Sequence, residues 1–232
     1  MSKDVRQDSH QDSKQGIAKK RRAAEAALPM IQTDDYLGMG TGSTVGVLIE
    51  LMVQHHLSVR AAISSSTATT AALQRAGIAV VDLNEVADVP LYIDGADELT
   101  QHGFLLKGGG GAMTREKILA TASRRFVCIA EDDKLTPVLG RQHPVPVEVL
   151  PMARSFIARK LVGMGATVTL RHGLSDNGNP ILDCSGLDLA NPVALEQAIN
   201  NLPGVIGCGV FALRRPEVIL LGTAEGVRRL PA

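Results

Sequence analysis

Cysteine is scarce in this sequence, and its copies are scattered. Cys128, Cys184 and Cys208 are odd in number, and none has C-x-x-C spacing. This pattern predicts buried free thiols in a reducing compartment, because disulfides use cysteines in pairs and zinc or redox motifs use them close together. The six histidines also lack ligand spacing, since adjacent His55 and His56 would point to different faces of a helix. We therefore expect no metal site.

The sequence also lacks an excess of either charge. Lys and Arg number 24, Asp and Glu number 24, and the formal net charge is zero. Such a chain has no overall positive field to attract nucleic acid or an anionic membrane, so we expect neither partner. No apolar run approaches the roughly 20 residues of a membrane-spanning helix, and no signal peptide is recognisable. We expect a cytoplasmic protein.

From residue 16 onward, helix-like and strand-like segments alternate. Strands are predicted at "DYLGMG", "VRAAIS", "IAVVDL", "PLYID" and "RRFVCIAE", the last a near-continuous apolar run typical of a strand covered on both faces. The alternation predicts an α/β fold with a Rossmann-like, mostly parallel sheet and helices on both faces. We assign residues 16–139 and 214–232 to this larger domain, and the polar residues 1–15 to a disordered tail.

A second, smaller domain is predicted for residues 140–213. It begins near "GRQHPVPVEVLP", where three prolines prevent regular helix and favour extended chain. The following segments are predicted in the order strand, helix, strand, strand, helix, strand, which is ferredoxin-like α+β. Asn177-Gly178 predicts a hairpin turn between the second and third of these strands.

Four consecutive glycines interrupt the apolar pattern of the larger domain. In "LLKGGGGAMTREKILA", Gly108 to Gly111 separate an apolar run from a helix-like segment. A flexible surface loop is one interpretation. The apolar flanks favour another, a strand-to-helix loop whose backbone N–H groups face an anion. Lys107 and Glu116 would then add a cation and a carboxylate on either side of the loop.

The segment "GMGTGSTV" contains part of two nucleotide-binding motifs but completes neither. Ser43 stands where the dinucleotide fingerprint needs glycine, and Gly42 stands where a Walker A loop needs lysine. What remains is a helix N-terminus with hydroxyls from Thr41, Ser43 and Thr44, which suits a small phosphate. A tight turn capped by Ser43 or Thr44 is the alternative. In "SSSTATT" a serine is likewise a candidate helix cap.

Carboxylates crowd the loop "YIDGADEL". Asp94 ends a predicted strand, and Asp97 follows across a turn at Gly95. Like charges this close raise pKa values and cost stability, which suggests a function, although an acidic surface turn is the alternative. The further oxygen ligands of a calcium loop are missing. Ligands of parallel sheets bind beyond the carboxyl ends of the strands, so the acids, the lysine and the candidate anion-binding loops would converge on one edge of the sheet. Such a set of groups predicts a phosphorylated, hydroxylated substrate and proton-transfer chemistry.

Six motifs resemble the ribose-5-phosphate isomerase A family and occur in the family's order over nearly all of residues 16–232. They are "GMGTGSTV", "YIDGADEL", "LLKGGGGAMTREKI", "PVPVEVLPMARS", "SDNGNPILD" and "LPGVIGCGVFA". The resemblance implies an aldose-ketose isomerase of the pentose phosphate pathway. It would interconvert D-ribose 5-phosphate and D-ribulose 5-phosphate through an enediolate, without metal or organic cofactor, as a homodimer or dimer of dimers.

The resemblance also implies roles for individual residues. Glu116 would be the catalytic base, Asp94 would assist ring opening, and Lys107 would stabilise the enediolate oxygens. Lys134 would bind the phosphate. The full set of implied substrate-binding residues is Thr41, Gly42, Ser43, Thr44, Asp94, Gly95, Ala96, Asp97, Lys107, Gly108, Gly109, Gly110 and Lys134. The alternative function is a sugar-phosphate-sensing domain of a regulator, which would carry a DNA-binding helix-turn-helix.

Overall fold

The computed structural model describes residues 4–231, with side chains from residue 14 onward. The α-helices in this part of the chain are α1 (Asp4–Ala27), α2 (Ser43–Gln54), α3 (Thr67–Arg75), α4 (Met113–Ala122), α5 (Arg154–Gly163) and α6 (Pro192–Asn200). The strands are β1 (Tyr36–Met39), β2 (Ala61–Ser64), β3 (Val89–Asp94), β4 (Glu98–Leu99), β5 (Leu105–Leu106), β6 (Ser123–Glu131), β7 (Val145–Val149), β8 (Thr167–Leu174), β9 (Pro180–Ser185), β10 (Val205–Cys208), β11 (Val210–Phe211), β12 (Val218–Gly222) and β13 (Val227–Pro231).

The bounds of α1 overlap the segment 1–15 that composition predicts to be disordered. The helix begins at Asp4, and residues 1–3 lie outside the described part of the chain. Residues 4–14 contain neither glycine nor proline, so the local sequence permits a helix there. The disordered tail and the domain boundaries remain predictions. None of the helices within residues 4–231 is long and apolar enough to cross a membrane.

The larger sheet has six strands in the order β13-β12-β6-β3-β1-β2. All neighbouring pairs are parallel except β12 and β13, which form an antiparallel hairpin at one edge. On one face, α2 packs Leu48 and Leu51 against Met39 of β1 and Ile93 of β3. On the other face, α4 and the strands β5 and β11 cover a second apolar cluster around Phe126. This arrangement confirms the predicted Rossmann-like α/β fold.

The smaller sheet has four antiparallel strands in the order β10-β7-β9-β8. Helices α5 and α6 cover it, with Ile157 and Ile199 packed against Val147 of β7. Chain order and strand order together match the predicted ferredoxin-like unit. The predicted hairpin turn is also confirmed, since Gly178 donates its N–H to the Ser175 carbonyl (2.8 Å) between β8 and β9.

Two local predictions need correction. The segment "IAVVDL", predicted as a strand, contributes only an isolated bridge between Val80 and Ala62, because the Asp82 side chain accepts the N–H of Asn84 and turns the chain. The single strand predicted at "VIGCGVFA" is divided into β10 and β11. The β11 part joins β5 and β4 in a three-stranded sheet that links the two larger sheets.

Candidate active site

The carboxyl ends of the adjacent strands β1, β3 and β6 meet at one cleft, as a parallel sheet requires. The loop after β1 leads into α2, the loop after β5 leads into α4, and a short 3-10 turn follows β6. The cleft has a volume of about 200 Å³. Its lining residues are Lys20, Thr41, Gly42, Ser43, Thr44, Gly95, Ala96, Asp97, Lys107, Gly108, Gly109, Gly110, Glu116, Glu131 and Lys134.

Asp94 lies beneath the cleft rather than in its lining, at the last position of β3. Its side chain is fully buried, and Oδ1 accepts the backbone N–H groups of Thr41 (3.0 Å) and Gly95 (2.7 Å). Its other oxygen accepts the Tyr92 hydroxyl. Gly40 makes room for this carboxylate, since a Cβ there would lie 1.9 Å from the Asp94 Cγ. The first glycine after β1 is therefore required by the buried acid.

Lys107 forms the centre of a buried charge cluster. Its Nζ lies 2.9 Å from Asp94 Oδ2 and 3.3 Å from Glu116 Oε1, and it donates to the Gly95 carbonyl (2.6 Å). Burial alone would lower the pKa of Lys107, but Asp94 and then Glu116 outweigh burial and raise that pKa above its ordinary range. Lys107 is therefore a permanent cation at the wall of the cleft.

Glu116 is the buried carboxylate that faces this cation. It lies in the first turn of α4, and its side chain is only 2% exposed. Its Oε2 atom has no hydrogen-bond partner among residues 4–231. Burial raises the pKa of Glu116 to about 8, an effect that Lys107 opposes and the charge of Asp94 reinforces. A carboxylate with one free oxygen and a pKa near neutrality has the properties of a general base.

Tyr92 lies behind the charge cluster and is completely buried between strands. Burial first, and then the negative charges of Asp94 and Glu116, raise the pKa of Tyr92 well above its usual value. The phenol therefore remains a hydrogen-bond donor to Asp94. Its ring packs on Phe126, with ring centroids 5.1 Å apart. An apolar wall thus supports the polar site.

The glycine loop approaches the acidic loop closely. Gly109 donates its N–H to Asp97 Oδ2 (2.8 Å), so the backbone of one loop is fastened to the carboxylate of the other. Gly108 has φ of 102°, a conformation that favours glycine, and a Cβ there would lie 2.8 Å from the Pro146 side chain. These contacts support the interpretation of this segment as a strand-to-helix loop fixed beside the cleft.

The opposite end of the cleft is suited to an anion. Helix α2 begins there, with Gly42 as its N-cap and no side-chain cap, so the alternative in which Ser43 or Thr44 caps the helix is wrong. The Thr44 hydroxyl instead donates to Glu131 (3.3 Å), and Lys20 lies 3.5 Å from the same carboxylate. The first N–H groups of a helix lack intrahelical acceptors and carry partial positive charge. Lys134 adds a further cation.

The position of α4, and so of Glu116, depends on a buried carboxylate in the smaller sheet. Glu148 of β7 is fully buried and accepts the Thr114 hydroxyl from the first turn of α4. It also accepts Ser175 Oγ (2.6 Å) and Asn179 Nδ2 (2.9 Å) from the β8–β9 turn. Each polar group has partners, as burial of a charge demands. The smaller sheet therefore helps to orient the helix that carries Glu116.

The cleft brings together the predicted site residues, with Asp94 immediately behind its wall. Lys20 and Glu131 also border it, and no motif in the sequence predicts them. The basic run from Lys19 to Arg22 predicts an exposed face of the first helix. In the structure α1 packs against β6 and β12. Lys19 therefore pairs with Asp132 (2.7 Å), and Lys20 lines the cleft. A cap predicted in "SSSTATT" is confirmed at Ser66, which accepts the Thr69 N–H (3.0 Å).

None of the three cysteines lines the cleft, although Cys128 of β6 lies opposite Asp94 of β3. Cys128, Cys184 and Cys208 are free and buried, as predicted. Burial raises the pKa of Cys128 to about 12. Within residues 4–231, no group of three or more His, Cys, Asp or Glu side chains is arranged to hold a metal ion.

Comparison with known proteins identifies the family. A family model described as ribose 5-phosphate isomerase A (phosphoriboisomerase A) matches residues 61–226. The chain belongs to the ribose-5-phosphate isomerase A family. The resemblance drawn from the six motifs is thereby confirmed, and the chain is an isomerase.

Relatives match this chain over nearly their whole length. Ribose-5-phosphate isomerase A of Acidithiobacillus ferrooxidans is 52% identical and covers 90% of this chain and 96% of the relative. That of Bordetella bronchiseptica is 47% identical, covering 91% and 95%. The crystal structure of ribose 5-phosphate isomerase A from Neisseria gonorrhoeae has a TM-score of 0.89 at 42% identity, covering 91% and 95%. These matches support the isomerase and not the sensing domain considered as the alternative.

One further solved structure is relevant to the site. A D-ribose-5-phosphate isomerase in complex with phospho-erythronic acid has a TM-score of 0.87 and 32% identity. The match covers 92% of this chain and 97% of the chain in that structure.

Proposed function

We propose that this isomerase interconverts D-ribose 5-phosphate and D-ribulose 5-phosphate through an enediolate, with Glu116 as the only proton-transferring base. The single observation that supports this most is the pairing of buried Glu116, with its free Oε2, and the cation Lys107 (3.3 Å) at the wall of the cleft. One carboxylate can remove a proton from one carbon and return it to the next, so the chemistry needs no organic cofactor or metal.

Each atom transfer in the proposed reaction has a group to perform it. Glu116 takes the proton from C2 of the open-chain aldose, the electrons of that bond form the C1–C2 double bond, and the carbonyl oxygen becomes negative. Lys107, whose side chain is buried, is the positive partner for this oxygen. The proton on O2 passes to O1, Glu116 returns its proton to C1, and the ketose results. Asp94, through its contact with Lys107, would assist ring opening.

The bound acid of the relative is chemically consistent with this intermediate. Phospho-erythronic acid combines a phosphate with a planar carboxylate, whose two oxygens resemble the two oxygens of an enediolate. We propose that the same acid binds this chain with its phosphate at the N-terminus of α2, between Lys20 and Lys134. Its carboxylate would then lie near Lys107 and the glycine loop.

The proton-transfer mechanism predicts isotope incorporation from solvent. When ribose 5-phosphate is held at equilibrium with the enzyme in heavy water, deuterium should accumulate on C1 of ribulose 5-phosphate, because Glu116 exchanges its proton with solvent during some turnovers. Proton NMR measures the loss of the C1 signal, and a sample without protein is the control. A hydride shift between the carbons predicts no deuterium even after many turnovers, and that result would exclude the enediolate.

The assignment of Lys134 to the phosphate predicts a selective kinetic effect. Lys134→Ala should raise the KM about tenfold and leave kcat nearly unchanged, because the phosphate keeps its charge in both ground and transition states. Lys160→Ala is a matched control, since Lys160 lies over the Phe156 ring on α5 and does not line the cleft. A fall in kcat with an unaltered KM would mean that Lys134 acts in the chemical step.

We also propose a cytoplasmic location within the pentose phosphate pathway and a homodimer or dimer of dimers. Three buried free thiols support a reducing compartment.

A further inference from the structure

Arg171, on edge strand β8 of the smaller sheet, contacts the glycine loop of the cleft. Its Nη1 donates to the carbonyls of Gly108 (2.7 Å) and Gly109 (3.2 Å). The rest of the guanidinium binds Asp183 of β9, through Nε to Oδ2 (2.9 Å) and Nη2 to Oδ1 (2.5 Å). The guanidinium therefore forms a bidentate ion pair with Asp183 and also binds two consecutive carbonyls of the glycine loop.

These contacts determine which way the peptide groups of the loop face. All peptide bonds within residues 4–231 are trans, so the C=O and N–H of each peptide point in opposite directions. In the first peptide, the Gly108 carbonyl faces Arg171 and the Gly109 N–H faces Asp97 (2.8 Å). In the second, the Gly109 carbonyl faces Arg171, so the Gly110 N–H points away from Arg171. Gly110 lines the cleft, and its N–H has no acceptor among residues 4–231.

We propose that Arg171, fixed by Asp183, is a positioning residue that holds the glycine loop so that the Gly110 N–H donates to a substrate oxygen. Glycine needs such an external hold because it has the greatest backbone freedom of any residue. Arginine suits the task, since a planar guanidinium binds a carboxylate through two nitrogens and still has a donor for carbonyls. Lysine has a single nitrogen and cannot span both sets of acceptors.

The proposal is tested with Arg171→Met, Arg171→Lys and a control. Loss of the guanidinium should lower kcat/KM about 100-fold, because small misplacements of binding groups have effects of this size. Phospho-erythronic acid should bind about tenfold more weakly. Arg171→Lys should recover less than a tenth of the wild-type kcat/KM. Arg124→Met removes an arginine paired with Asp88 (2.7 Å) at the opposite end of β6, and it should leave all of these values unchanged.

Amide hydrogen exchange separates positioning from a general loss of structure. In Arg171→Met the amides of Gly109 and Gly111, which donate to Asp97 (2.8 Å) and to the Gly108 carbonyl (3.0 Å), should exchange faster, while those of β6 keep their protection. Unchanged exchange in the loop, wild-type turnover and affinity in Arg171→Met, or an equal loss in Arg124→Met would each overturn the proposal. The inference rests on the proposed use of this cleft, but not on the identity of the base. An active Glu116→Gln enzyme would refute Glu116 and leave the effects of Arg171 on loop exchange and acid binding to stand.

Discussion

Glu116→Gln should lose at least about 10²- to 10⁴-fold in turnover, the range typical of a general acid–base group. The loss should lie toward the upper end, because the same carboxylate serves both proton transfers. The amide keeps the size of the side chain and an oxygen for Lys107, so the cleft keeps its shape. Phospho-erythronic acid should still bind, since the substitution removes a negative charge that repels an anion.

The pH dependence of this variant provides a second readout. Glu116 acts as a base only when it is ionised, and burial raises its pKa to about 8. In the wild-type enzyme, kcat/KM should therefore be low at acidic pH, rise with pH, and level above about 8. The residual activity of Glu116→Gln should lack this rise, because the titrating group is gone.

Stability and a control variant complete the test. The thermal midpoint should shift by less than about 4 °C, which corresponds to about 1 kcal/mol for a chain of this length. Glu25→Gln is the control, since Glu25 pairs with Arg21 on the surface of α1. Near-normal turnover by a well-folded Glu116→Gln enzyme would show that Glu116 is not the base.

The sequence predicted which residues form the site, but it did not predict their burial or their pKa shifts. Position after a strand was sufficient to place Asp94 and the loop after β1 at one edge of the larger sheet, because parallel strands end on the same side. Lys107 and the glycine loop follow β5, which belongs to the antiparallel three-stranded sheet, so their position in the cleft depends on how the two sheets pack. The free Oε2 of Glu116 and the depth of Asp94 depend on side-chain packing between distant segments, and no local pattern encodes such packing. Motif spacing therefore gives the residues of a site, and three-dimensional burial gives their pKa values.

Residues contributed by distant segments were the ones that sequence reasoning missed. Lys20 is 111 positions from Glu131 and lies 3.5 Å from it only because α1 packs across the carboxyl ends of β6 and β12. The basic run around Lys20 was a signal, but it fits an exposed helix face equally well. Arg171 carried no signal, since a single arginine in an edge strand is usually a surface residue. Its contact with the glycine loop arises from the packing of the two sheets.

Lys107→Met should lower kcat about 10²- to 10³-fold, comparable to removing one donor from an oxyanion-binding site. The lost cation contacts both buried carboxylates, and its greatest effect comes when negative charge develops on the substrate. The KM should change much less, because the open-chain carbonyl is neutral in the ground state. Steady-state kinetics of the purified variant measure both values.

The pH profile of Lys107→Met should move in a defined direction. The positive charge of Lys107 lowers the pKa of Glu116, so its removal should raise that pKa further. The rising limb of kcat/KM should therefore shift to higher pH than in the wild-type enzyme. A limb at the wild-type position would contradict the 3.3 Å ion pair as a determinant of the Glu116 pKa.

Loss of stability is the competing explanation for a low rate, and a double variant separates the two. Breaking a buried ion pair costs about 3–5 kcal/mol, because one charge is left without its partner. The three other donors to Asp94 should keep the cost toward the lower limit. In Lys107→Met with Asp94→Asn, both charges of that pair are absent, and Glu116 is protonated at neutral pH because its pKa rises without Lys107. The amide oxygen that replaces the Asp94 carboxylate can still accept the N–H groups of Thr41 and Gly95. We expect the double variant to regain most of the thermal stability and none of the turnover. If turnover returned with stability, Lys107 would serve only to neutralise Asp94, and the enediolate would need another electrostatic partner.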